Sequence, residues 1–356
     1  MDTGFGTWQL HTACKVTFTH LYEPGGTCSE TVGTGFLTQF PTGDPRLAIV
    51  TNRHLTDIGW AQPARVGAVA KAVEIEFWAS EKFRLTYKTE NVAPLYHEDD
   101  SIDVSVVPVG PMFETEATVV ALYDSIDKLV PDPNFPGIMF NHAMSWNYLL
   151  KCERLWPELK PGEFVVFPGY PKWFDKLESR PVFRSGMIAS DPQRDYRQNK
   201  GETTHLDGNQ QVLFDAFSTS GNSGSPVFVA QQGLPPLDLQ MKLDQQGSAP
   251  AQAAKLEFKP YHESFLIGIN AGHFNDTDSE RPNDHAGLSR FHKLSAIMEI
   301  LRANASPSDV SAPPALAFRV PVEMVEAQGG LPQSYLDAIG AEQPSPEAGP
   351  EPATAP

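Results

Sequence analysis

Short runs of Val, Ile, Phe and Thr, cut every few residues by Gly or Pro, leave this chain little room for long helices. Residues 15–19, 73–77, 164–167 and 265–269 are such runs, and 27 Gly and 32 Pro among 356 residues supply the punctuation. β-Branched and aromatic side chains suit a pleated, half-buried surface, while Gly and Pro end strands at turns. The pattern predicts an all-β fold. A hydrophobic content of 40%, with 21 Phe, is enough for a sizeable core in one large or two small domains. One helix is predicted over residues 288–301, where Leu294, Ile297, Met298 and Leu301 recur at helical spacing.

The string Gly221-Asn222-Ser223-Gly224-Ser225-Pro226 interrupts this pattern just before the apolar run Val227-Phe228-Val229. Taken alone it fits a surface hairpin, because Gly, Asn, Ser and Pro are turn formers. It equally fits a nucleophile loop, in which small neighbours let the N–H groups of Gly221 and Ser223 converge on one point. A serine hydroxyl is a poor nucleophile without a base to take its proton and donors to receive the oxyanion. Of ten histidines, His54 has the most telling setting: it follows Leu47-Ala48-Ile49-Val50-Thr51 by three residues, on the first turn after an apolar strand. The alternative for His54 is a surface residue at the start of a short helix. A carboxylate that orients the imidazole is the third requirement. Asp103, at the mouth of Val104-Ser105-Val106-Val107, is favoured because apolar neighbours exclude water there; Asp100, in the polar run Glu98-Asp99-Asp100, is the alternative. The chain order His54, Asp103, Ser223 is the order used on paired β-barrels. The Gly-x-Ser-x-Gly elbow of α/β-hydrolases is not met, since Ser225 stands where its second Gly falls.

With these residues in place the chain resembles the trypsin-like serine proteases of the chymotrypsin fold, in particular the bacterial high-temperature-requirement (HtrA-like) branch. Val32-Gly33-Thr34-Gly35-Phe36-Leu37 is similar to the strand before the family's histidine, and Val50-Thr51-Asn52-Arg53-His54 to its Val-Thr-x-x-His. Asp103-Val104-Ser105-Val106-Val107 resembles its Asp-Leu-Ala-Val-Leu. Phe167-Pro168-Gly169-Tyr170-Pro171, Arg184-Ser185-Gly186-Met187-Ile188 and Ile267-Gly268-Ile269-Asn270 resemble later segments, in order over roughly residues 8–302. The resemblance implies two six-stranded antiparallel β-barrels, about 8–125 and 150–302, with a C-terminal helix packed on the second. It implies a serine endopeptidase with His54 as general base, Asp103 as its orienting carboxylate, Ser223 as nucleophile, and the N–H groups of Gly221 and Ser223 as oxyanion hole. A catalytically idle binding or chaperone module on the same fold, and an esterase with the same triad, are the alternatives. Two departures matter. Asn222 stands where secreted members carry the Asp that receives a new N-terminus, and Ser225 replaces a Gly. Activation by N-terminal clipping is therefore not expected. The family's PDZ module is not expected either.

By the same resemblance the substrate pocket has Phe217 and Ser218 at its base and Asn270, Ala271 and Gly272 on its wall. With no carboxylate among them, an apolar side chain before the scissile bond is expected, with His273 at the rim as a minor route to an acidic or amide one. A net charge of −17 with no basic stripe argues against a nucleic-acid partner. No apolar stretch reaches the length of a membrane span, and residues 1–4 do not read as a signal peptide, so a cytoplasmic protein is expected. Three cysteines suit free thiols in a reducing compartment; the alternative is a pairing of Cys14 and Cys28 across an N-terminal hairpin. No Cys or His cluster has zinc spacing, and neither metal nor cofactor is expected. Residues 126–150, 191–212 and 231–260 read as long loops, the last lying next to the cleft. From about residue 303 the composition shifts to Pro, Ala, Ser and Glu, which predicts a largely disordered tail. Its apolar islands Phe318-Arg319-Val320-Pro321-Val322 and Tyr335-Leu336-Asp337-Ala338-Ile339 are candidate docking points for a protein partner, or weak contacts on the barrel.

Overall fold

Alternate side chains of a strand face opposite ways, and the first long strand, β1 (Ala13–Tyr22), buries Cys14, Val16, Phe18 and His20 while Lys15, Thr17, Thr19 and Leu21 lie nearer solvent. The protein is described from a computed structural model over residues 5–22, 26–44, 46–80, 83–90, 92–109, 118–121, 129–130, 138–140, 143–197, 209–232, 262–276, 284–307 and 316–318. Helix α1 (Thr7–His11) precedes β1, and β2 (Thr27–Gln39), β3 (Leu47–Thr51), β4 (Ala68–Ser80), β5 (Phe83–Glu90), β6 (Leu95–Tyr96), β7 (Ser105–Pro108) and β8 (Thr118–Ala121) follow. They form an eight-stranded antiparallel sheet in the order β6-β7-β3-β2-β1-β4-β5-β8. Between β3 and β4 lie the one-turn helices α2 (Arg53–Thr56) and α3 (Ile58–Ala61).

The second half closes on itself. Strands β11 (Phe164–Gly169), β12 (Val182–Ile188), β13 (Gln211–Asp215), β16 (Asp284–Lys293), β15 (Phe265–Asp276) and β14 (Pro226–Val229) form a six-stranded barrel, sealed by Val165 opposite Val229 and Val166 opposite Phe228. Phe167, Phe214, Phe228, Phe265 and Phe291 are fully buried, each worth roughly 2–3 kcal/mol of transfer free energy. Helix α5 (Leu294–Ala303) follows β16 and buries Leu294, Ile297, Met298 and Leu301, with Phe36, Val50 and Val106 of the first sheet, and Val104 just before β7, in the same cluster. The all-β class, the closed barrel and the C-terminal helix match expectation, and the arrangement is consistent with a chymotrypsin-like double barrel.

Local differences have physical causes. The predicted helix over 288–301 begins only at Leu294, because residues 288–292 pair with β13 and extend the barrel. Helix α4 (Trp146–Leu155) occupies the end of the predicted 126–150 loop, capped by the Ser145 hydroxyl accepting from the Tyr148 N–H at 3.1 Å. Cys14 faces Gly35 and Cys28 faces Leu21 across the β1–β2 pair, so the two do not meet, and none of the three cysteines is in a disulfide. Within the predicted tail, β17 (Leu316–Phe318) pairs with β10 (Ile138–Phe140), which also pairs with β9 (Leu129–Val130). Most of the predicted 231–260 loop and the island at 335–339 lie outside the described residues. Among the described residues no helix is long and apolar enough to cross a membrane, and no cluster of three or more His, Cys, Asp or Glu is placed to hold a metal ion.

Candidate active site

Antiparallel pairing brings the first two candidates together. Thr51, the last residue of β3, lies opposite Ser105, the first of β7, so the chain beyond Thr51 and the chain before Ser105 leave the sheet at the same end. His54 sits on α2 at that end, and Asp103 meets it. Asp103 Oδ2 lies 2.7 Å from His54 Nδ1, and Asp103 Oδ1 accepts the His54 backbone N–H at 2.9 Å. The Asn52 side chain donates to the Asp103 carbonyl at 2.7 Å. Asp100 points elsewhere: its exposed carboxylate pairs with Arg53 at 2.6 Å. Burial alone would raise the Asp103 carboxyl pKa, but the adjacent His54, by charge and by ring and backbone hydrogen bonds, holds it below the ordinary value.

Behind this pair stands His292, a fully buried residue of β16 that sequence reasoning missed. Its Nε2 accepts the backbone N–H of Asp103 at 3.0 Å, so this nitrogen is unprotonated and the ring is neutral, with its proton on Nδ1. Burial is the main cause that lowers its pKa from 6.5 to about 4. The unfolded chain therefore takes up a proton between these values that the folded chain refuses, and stability falls as pH drops through 6.5 towards 4, by up to about 3 kcal/mol. Urea midpoints are expected to fall over this interval, and His292→Leu to flatten the fall; equal slopes in both proteins would remove His292 from the account.

Ser223 lies on the loop between β13 and β14. Gly221 (φ +94°) and Gly224 (φ +88°) adopt the left-handed region that side chains disfavour. A Cβ on Gly221 would stand 2.2 Å from the Tyr170 carbonyl, and one on Gly224 1.9 Å from the Thr34 carbonyl. The loop is thus pressed onto both halves. The Thr34 N–H donates to the Ser223 carbonyl at 2.8 Å, and the Thr34 hydroxyl to the Gly221 carbonyl at 2.7 Å. Among the described residues, the N–H groups of Gly221 and Ser223 donate to no protein acceptor. Ser225 fits because its neighbour is Gly169, where a Cβ would lie 2.3 Å from Ser225 Oγ. Asn222 is buried, its Nδ2 3.4 Å from Thr219 Oγ1 and its Oδ1 without a partner.

His54, Asp103 and Ser223 line one cleft of about 360 Å³, together with Trp60, Thr219, Ser220, His273 and Arg290. Ser218, Ala271 and Gly272 of the expected pocket line it as well. Asn270 is buried just behind, donating to Ser218 Oγ and to the Asn222 carbonyl, both at 2.8 Å. Phe217, expected at the pocket base, is 57% exposed and is not among the residues that line this cleft, while its neighbours Ala216 and Ser218 are buried. Arg290 and His292 were overlooked for one reason: both fall in the segment read as helix, which is strand β16. A polar residue beside the buried Phe291 is the signal that a strand assignment would have exposed.

No protein-family model and no curated protein matches the chain. Among solved structures it is similar to Deg5, at 12% identity over 74% of this chain and 81% of that one, with a TM-score of 0.36. It is similar to the protease Anisep from Arthrobacter nicotinovorans (12% identity, 83% and 97% covered, TM-score 0.42). It is also similar to the thermostable serine protease AL20 from an extremophilic microorganism (12% identity, 84% and 99% covered, TM-score 0.39). Scores this low assign neither family nor activity to the chain.

Proposed function

We propose that the protein is a serine endopeptidase of the trypsin-like kind. The observation that carries this is the 2.7 Å contact of His54 Nδ1 with the buried Asp103 carboxylate, made in the same cleft that Ser223 lines. In this scheme Asp103 holds the imidazole proton on Nδ1 and leaves Nε2 free to accept. Ser223 Oγ attacks the peptide carbonyl carbon while His54 Nε2 takes the hydroxyl proton. The carbonyl electrons move onto oxygen, which the unengaged N–H groups of Gly221 and Ser223 receive. Collapse of this adduct breaks the C–N bond, and His54 gives its proton to the leaving amine. Water, deprotonated by the same imidazole, then releases the acyl group.

A fluorophosphonate probe tests this directly. The wild-type protein is expected to label stoichiometrically and Ser223→Ala not at all, and casein is expected to be digested by the wild type alone. Ester cleavage without casein digestion would make the protein an esterase. No labelling of the wild type would make it an idle module.

A further inference from the structure

Among the described residues Arg290 makes no salt bridge. It is 5% exposed, its Nε and Nη1 are buried with no hydrogen-bond partner, and it lines the cleft that holds His54 and Ser223. Desolvating a guanidinium without a partner carbonyl or carboxylate is costly, and proteins seldom leave one so. Asp103 is the carboxylate whose charge reaches Arg290. Both Asp103 oxygens, however, are engaged by His54, one by the ring and one by the backbone N–H. Phe274 stacks beneath the guanidinium, its ring centre 5.5 Å from Cζ, which holds the group in place without neutralising it. Besides His54, Asp103, His273 and Trp60, the cleft that Arg290 lines is made of small neutral residues, among them Ser218, Thr219, Ser220, Ala271 and Gly272.

We infer that Arg290 receives a substrate carboxylate, so that the cleft selects polypeptides with Glu or Asp among the three residues on the acyl side of the scissile bond. This rests on the endopeptidase proposal above. A guanidinium matches a carboxylate with two parallel hydrogen bonds, from Nη2 together with either Nε or Nη1, and both Nε and Nη1 are without a protein acceptor. The chain's net charge of −17 repels acidic peptides in general, so a local cation is what such a substrate needs at the cleft. The apolar pocket expected from Phe217 loses that residue to solvent.

Fluorogenic peptides that differ only in one of those three positions, carrying Glu, Asp, Gln, Leu or Lys, test the inference. At one position Glu or Asp is expected to exceed Gln in kcat/KM by about 10-fold or more, and Arg290→Gln to bring that ratio close to one. Preference for Leu or Lys at every position, or an acid-to-amide ratio unchanged by Arg290→Gln, would overturn it. Binding is measured separately by fluorescence anisotropy with Ser223→Ala, where the Glu peptide is expected to bind more tightly than the Gln peptide. That comparison decides the carboxylate site even if fluorophosphonate labelling fails, and equal affinities there would also overturn it.

Discussion

Asp103→Asn is expected to lower kcat about 10⁴-fold while leaving the fold intact. The direction follows from two donors. The His54 backbone N–H, 2.9 Å from Oδ1, can only donate, so the new amide must place its oxygen there. Its NH₂ then faces His54 Nδ1, where the carboxylate Oδ2 stood at 2.7 Å. Two N–H groups cannot point at each other, so the ring proton moves to Nε2, and a protonated Nε2 cannot accept from Ser223. Single-turnover fluorophosphonate labelling reads the same loss. A rate within 10-fold of the wild type would show that Asp103 does not set the tautomer.

Gly224→Ala is expected to cost stability on the order of 4 kcal/mol and to remove activity with it. Two penalties add. The φ of +88° disfavours any side chain, and the methyl would stand 1.9 Å from the Thr34 carbonyl and 2.6 Å from Thr51 Oγ1. Relief cannot come from Thr34, whose carbonyl already accepts the Thr51 hydroxyl at 2.7 Å and whose N–H holds Ser223. The loop that carries Ser223 must therefore lift away from β2. Thermal unfolding followed by circular dichroism measures the effect, and a midpoint within 2 °C of the wild type would contradict it.

Much of this was legible in the chain because it depends on local pattern. Strand alternation, the turn chemistry around Ser223 and the apolar settings of His54 and Asp103 are written within a few residues of each site. What was not legible depends on partners distant in sequence. His292 meets the backbone of Asp103 across 189 positions, and no spacing rule foretells that. Arg290 and His292 were hidden further by the amphipathic run at 294–301, whose helical period was extended backwards into β16. Phe217 was placed at the pocket base only by resemblance, and a resemblance of short motifs does not state how exposed a side chain is. Ser225, an apparent conflict with a family pattern, is accommodated by Gly169, 56 positions earlier in the sequence.

The bond from the Asp103 N–H to His292 also bears on the order in which a ribosome delivers the chain. A nascent polypeptide exposes His54, Asp103 and Ser223 long before β16 has emerged. Until it does, the Asp103 amide lacks its buried acceptor and the barrel lacks the strand that joins β13 to β15. On the proposed function, a growing chain with all three residues already made would still be unarmed, and hydrolytic competence is expected only once translation has passed the last barrel strand.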